Sequence, residues 1–346
     1  MEAPAGSGPR AHVLAFRGRG AVRFSELSMT RSNVIFRGQT EVGRTADVIV
    51  YTDGSANGNA TAQAILQTAE ADFQATQAWF GGLTLPAGQQ GDDQTTPRTA
   101  TPVQVLMDAQ AGGAYHFGCN ATDLYCEPDP SLGSGFMVAE LVEVFEAAIG
   151  NGWQCGQTNG EALSRVLATE RNGNLTQLQV QTGQAWWSNG AQDFVTSNNA
   201  TDQDENSNGC GPLFLYYLHS QLGFDWRTIT TTGGATLGET YQKLTGKSPS
   251  QGFQDFLDRL STLNSGGTLQ LPASGNPFPI NSSTQPPAGS GGAPTGAGAD
   301  GGGSLPIPTG KGFSGAIVTL IILIIIVAAL IVINYFHPLG IQIGGQ

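Results

Sequence analysis

The sequence predicts an α+β fold: a small sheet with segregated helices, a helical C-terminal lobe and one C-terminal transmembrane helix. Three observations carry this. Two short β-rich runs, Ala46–Thr52 (ADVIVYT) and Val103–Met107 (VQVLM), are separated by a long helical period. Everything after about residue 135 reads as helix and loop. Gly315–Phe336 is a run of 22 residues without a charge; at about 1.5 Å per residue it spans about 33 Å, enough for a hydrocarbon core of about 30 Å.

The first run ends at Asp53-Gly54, a turn signal. A helix is expected from about Asn59 to Phe80, where Ile65, Leu66, Ala69, Phe73 and Phe80 recur at helical spacing and Gly81-Gly82 stops it. Residues 83–100 read as a polar loop. Gly113–Cys126 reads as a short hairpin or edge strand, extended at Ala114–Phe117. Gly135–Ile149 is a strong helix whose stripe is Met137, Leu141, Val144, Phe145 and Ala148, terminated by Gly150-Asn151-Gly152. A second helix is expected over Asn159–Glu170, and short helices over Leu213–Leu222, Thr236–Leu244 and Phe253–Leu260. Trp186-Trp187 is read as core or as a loop anchor.

The chain therefore divides into a basic N-terminal arm with strands (1–45), an α+β region (46–170), a helical lobe (171–272), a Gly/Pro/Ser-rich stalk (273–314), the transmembrane helix (315–336) and a short tail (337–346). The stalk lacks the large apolar side chains needed to offset ordering entropy. Net charge is −12; the arm carries seven Arg against three Glu, a local +4, and the remainder is about −16. No basic patch interleaves with aromatics, which argues against nucleic acid as a partner. The expected partners are the lipid bilayer, through 315–336, and an unidentified protein.

No signal-peptide pattern is visible at the start. Lys311 favours a cytoplasmic stalk side by the positive-inside rule. Four cysteines and a Gly/Asn/Thr-rich, Lys-poor surface favour an oxidising exterior, at a cell or virion surface, and five Asn-x-Ser/Thr sequons (Asn59, Asn120, Asn174, Asn199, Asn281) matter only in a eukaryotic host. The expected disulfides are Cys119–Cys126, closing a short loop, and Cys155–Cys210. No Cys-x-x-Cys spacing supports a zinc knuckle.

The long helix reads Val138-Ala139-Glu140-Leu141-Val142-Glu143, and the next Asn159-Gly160-Glu161-Ala162-Leu163-Ser164-Arg165. Together with the edge strand before them, these segments resemble a zincin metallopeptidase of the gluzincin type, over about residues 45–170. In that family a His-Glu-x-x-His helix supplies two zinc ligands and the general base, and a later helix supplies a third ligand. The resemblance implies that Ala139 and Glu143 stand at the two His positions, Glu140 at the base, Glu161 at the third ligand and Arg165 at a supporting Asp. Ala139 has no donor atom, and the two surviving ligand positions are both carboxylates. The resemblance therefore implies a decayed site in which Arg165 pairs with Glu140, Glu143 or Glu161 in place of a metal.

The competing reading makes Glu140, Glu143 and Glu146 the solvated face of an ordinary amphipathic helix. No zinc is expected, and calcium on Glu140, Glu143 and Glu161 is chemically allowed. Of the four histidines, His12, His116, His219 and His337, only His116 is placed near a cleft; His219 is read as a satisfied helix residue. Asp202, Asp204 and Glu205 form an acidic loop without a full calcium pattern. The leading expectation is a non-catalytic, membrane-anchored surface module on a decayed peptidase scaffold. The alternatives are a hydrolase using Glu140 as base and a self-assembling envelope or coat protein.

Overall fold

The computed structural model describes residues 39–86, 101–200 and 203–280, and the backbone of short strands at 11–15, 89–90 and 97–98. Ten strands lie in the described residues: β1 (Ala11–Ala15), β2 (Thr40–Arg44), β3 (Val48–Thr52), β4 (Gln89–Gln90), β5 (Pro97–Arg98), β6 (Val103–Met107), β7 (Gly113–Phe117), β8 (Asp123–Cys126), β9 (Asn264–Ser265) and β10 (Thr268–Leu269). Eight α-helices accompany them: α1 (Ala56–Trp79), α2 (Gly133–Ile149), α3 (Thr158–Arg171), α4 (Thr176–Ser188), α5 (Glu205–Tyr216), α6 (Trp226–Thr232), α7 (Leu237–Thr245) and α8 (Pro249–Ser261). The α+β class stands.

The main sheet is mixed, in the order β1-β7-β8-β6-β3-β2. β3, β6 and β8 are parallel, and β7 runs antiparallel to β8. The strand expected at the sheet edge is interior: β1, from the basic arm, pairs antiparallel with β7, setting His12 opposite His116. Gly8-Pro9 precedes β1 and Gly18 and Gly20 follow it, but a partner so distant in sequence is a property of the sheet rather than of local pattern.

Alternation along the strands sorts side chains into two faces. Val48, Val50, Val103, Val105, Met107, Ala114, Leu124 and Cys126 point to the helical side and join its core. Leu106, Tyr115 and Tyr125 point the other way into a smaller cluster, where the Tyr115 and Tyr125 rings stack with centroids 4.7 Å apart. His116, two residues after Ala114, shares the helical side.

Helix α1 begins earlier than expected because Ser55 caps it. Its hydroxyl accepts from Gly58 N (2.9 Å), and Asp53 Oδ1 accepts from Ser55 N (2.9 Å). Helix α2 is buried from Gly133 to Glu146, and its C-terminus is closed by Gly150 in the left-handed region, φ 62°. An ion pair with its carboxylate buried ties α1 to α3: the exposed Arg171 donates from Nε to Asp72 Oδ1 at 2.7 Å.

The region expected to form the helical lobe shares an apolar core with the sheet, from Val48 to Ile280. Trp186 is fully buried and its indole N–H donates to Gln192 O at 2.8 Å, in keeping with a core role. The Leu213–Leu222 segment is the end of α5 running into a π-helical turn at Tyr217–Gln221. His219 is satisfied there, donating to Phe224 O at 2.8 Å and stacking on Trp226. Packing also reaches past residue 272: Phe278 and Ile280 are buried, and Ile280 N donates to Gln221 Oε1 at 2.7 Å.

Among the described residues no helix is long and apolar enough to cross a membrane. The expected anchor at 315–336, most of the stalk, Asp202 and most of the basic arm lie outside the described residues.

Candidate functional site

The residues singled out on α2 and α3 come together in the interior. Ala139 is 0% exposed, Glu140, Glu143 and Glu161 are each 1%, and Arg165 is 3%. Glu146 joins them at 0%, and so does His116 from β7. The solvated-face reading is overturned by this burial. It rested on the helical wheel, which assumes that a carboxylate turns to water; α2 is enclosed on all sides, so its polar residues face other protein groups.

His116 supplies the first contact. Its Nδ1 lies 2.7 Å from Glu140 Oε2 and 4.0 Å from Glu143 Oε2. With Glu140 ionised the carboxylate can only accept, which would place a proton on Nδ1. The strand that carries His116 beneath α2 also fixes its face. Glu140 is thus engaged by an imidazole.

Glu161 supplies the second contact. Its Oε1 accepts from Gly156 N at 3.0 Å, and its Oε2 lies 3.5 Å from an Arg165 Nη, an i,i+4 pair along α3. Glu161 is thus one of the three carboxylates considered for Arg165 that does lie beside it, while Glu140 faces His116. The Asn159 side chain, which opens the family-like segment, turns away and donates to the Gly152 and Gly234 carbonyls at 2.9 Å each.

Glu146 is the residue that sequence reasoning left on the surface. It lies one turn beyond Glu143 and packs over Gly160, where a Cβ would fall 2.6 Å from Glu146 Oε2 and collide with the Gln154 carbonyl. Burial, and next the neighbouring Glu161, push its carboxyl well above the usual carboxylate range. The glycine at 160 was the available signal, since a helix interior tolerates glycine chiefly where another group needs the space.

The cysteines pair differently from expectation. Cys119 and Cys155 form the disulfide, with Cα atoms 5.7 Å apart, while Cys126 and Cys210 are buried thiols. Cys126 sits on β8 opposite Ala114 in the ladder, so its side chain enters the core and does not reach Cys119 across the turn. Burial, then Glu140, hold its thiol well above the ordinary range. Cys210 is enclosed in α5, against the core. The Cys119–Cys155 bridge ties the turn after β7 to the loop before α3, beside the carboxylates. One ligand atom each from His116, Glu143 and Cys155 lie within 4.8 Å of one another.

The acidic loop has a local explanation. Asp204 caps α5, accepting from Asn206 N at 2.9 Å, and also accepts from Asn199 Nδ2 at 2.7 Å.

Comparison with protein-family models, with curated proteins and with solved structures gives no match for this chain.

Proposed function

We propose that the chain is a membrane-anchored, non-catalytic binding or structural module on a zincin-like scaffold whose metal site has been taken over by the protein's own side chains. The observation that carries this reading is the 2.7 Å contact between His116 Nδ1 and Glu140 Oε2, fully buried. A zincin base must face a metal-bound water. Here the residue at that position faces an imidazole, Ala139 offers no donor, and Glu161 is turned to Gly156 and Arg165.

Two further features support it. The order of strand, antiparallel neighbour strand, buried helix and second helix is that of the family resemblance. The disulfide fits a domain facing an oxidising compartment, which in turn fits display on a cell or virion surface through the 315–336 segment.

The test is hydrolysis of a quenched fluorogenic peptide library by the homogeneous full chain with zinc supplied. Wild type and Glu140→Gln should be equally inactive, and both should show the same surface display. Cleavage that Glu140→Gln abolishes would establish the hydrolase instead.

A further inference from the structure

The disulfide and the histidine–carboxylate cluster are usually separate kinds of feature, yet here they share atoms. Cys155 is one half of the bridge and one corner of the His116/Glu143/Cys155 triangle. While bonded to Cys119 its sulfur is a poor donor, because metals bind the thiolate. We propose that reduction of Cys119–Cys155 opens a metal site in which Cys155 thiolate, His116 and Glu143 hold a soft or borderline divalent cation of the zinc class.

Three observations lead there. First, the donor set is one sulfur, one imidazole nitrogen and one carboxylate oxygen, which suits zinc far better than the all-carboxylate set expected for the oxidised site. Ligand atoms around a tetrahedral zinc stand about 3.3–3.6 Å apart. The present limit of 4.8 Å closes by a shift that a cysteine released from its partner can make. Second, Glu140 at His116 Nδ1 is the outer carboxylate that fixes a ligating histidine's tautomer and presents Nε2 to a metal. Third, Glu146 is fully buried nearby, with neither carboxylate oxygen hydrogen-bonded and with Glu161 beside it. A cation in this pocket would offset that concentration of carboxyl groups.

The chemistry balances with a dithiol as reductant. Cys119 is half-buried and Cys155 is 6% exposed, so the dithiol's thiolate attacks Cys119 Sγ. The Sγ–Sγ electron pair leaves on Cys155, beside His116. The second thiol of the reductant then attacks its own sulfur, expelling Cys119 as a thiol, and the reductant departs as a cyclic disulfide. The Cys155 sulfur binds the cation as thiolate, its proton going to solvent. The proposal is separate from the non-catalytic reading: it concerns a different redox state and is read by metal, not by peptide cleavage.

The test uses the full chain in detergent with cobalt(II) as probe, reduced by a water-soluble trialkylphosphine and then desalted. The expected result is a thiolate-to-cobalt charge-transfer band at one equivalent, reversed by zinc, in the reduced protein only. Cys119→Ser should show the band without reductant, Cys155→Ser should lack it under all conditions, and Glu140→Gln should weaken cobalt binding about 10–100-fold. The proposal is overturned by a band in the oxidised protein, by one undiminished in Cys155→Ser, or by none in the reduced wild type. Near-ultraviolet circular dichroism reports folding of each sample. If Cys119→Ser does not fold, the reduced wild type decides alone, and a reduced wild type that unfolds and binds no cobalt counts against the site.

Discussion

Glu146 sits where a methyl group on residue 160 would press against it, with Glu161 as its charged neighbour. A carboxyl whose affinity for protons is raised on folding contributes stability below its unfolded pKa, and that contribution is lost as pH rises through the folded value. The native state should therefore weaken above about pH 4.5, with a slope of up to about 1.4 kcal/mol per pH unit from this group. Glu146→Gln should remove that slope, leaving stability near that of wild type in acid and above it at neutral pH. Urea denaturation across about pH 4 to 8 compares the two; parallel curves would contradict the assignment. Only Gly160, far along the chain, hinted at this residue in the sequence. A helix wheel treats every Glu as solvent-facing, and only the enclosure of α2 by the sheet, α1 and α3 reverses that. Ala139 was different: the missing donor is visible in the letter itself, and only its burial required the fold.

At the scale of elements, the long periodic segments were legible because their cause is local. α1, α2 and α3 lie within a few residues of the pattern in their apolar side chains, and β6 spans the VQVLM run. α4 and α6 were not anticipated. α4 carries Gln and Thr on most of its turns, and α6 is seven residues rich in Thr, so neither shows a clear stripe. Their stability comes from packing rather than propensity. Cysteine connectivity was equally hidden, since it depends on which loops meet. The Cys119–Cys155 bridge spans 36 residues of sequence, for which chain entropy gives about 4 kcal/mol. Replacing both by Ser should lower unfolding free energy by about that amount in an oxidising buffer. In the same chemical denaturation, alkylation of the native wild type should leave Cys126 and Cys210 unmodified. Rapid labelling of Cys126 in the folded protein would contradict its place in the core.

At the scale of the molecule, the main apolar core of the described residues runs from Val48 to Ile280. Which surface the helical lobe would cover was not legible, because apolar side chains carry no label for the surface they will cover. The composition change near the stalk was legible, although Phe278 and Ile280 pack against the fold. We expect the full chain to partition into liposomes or detergent, and a chain ending at Pro287 to stay in the aqueous phase with its near-ultraviolet circular dichroism unchanged. Aqueous partitioning of the full chain would contradict the anchor assigned to 315–336.

We propose, as the centre of this account, that with the disulfide intact His116 at Glu140 and Arg165 at Glu161 take the place of a zinc ion. Plasma mass spectrometry of the oxidised full chain, equilibrated with zinc and then gel-filtered, tests it most directly. The account predicts well under one zinc per chain, unchanged by Glu143→Gln. One tightly held zinc per chain that Glu143→Gln removes would contradict it.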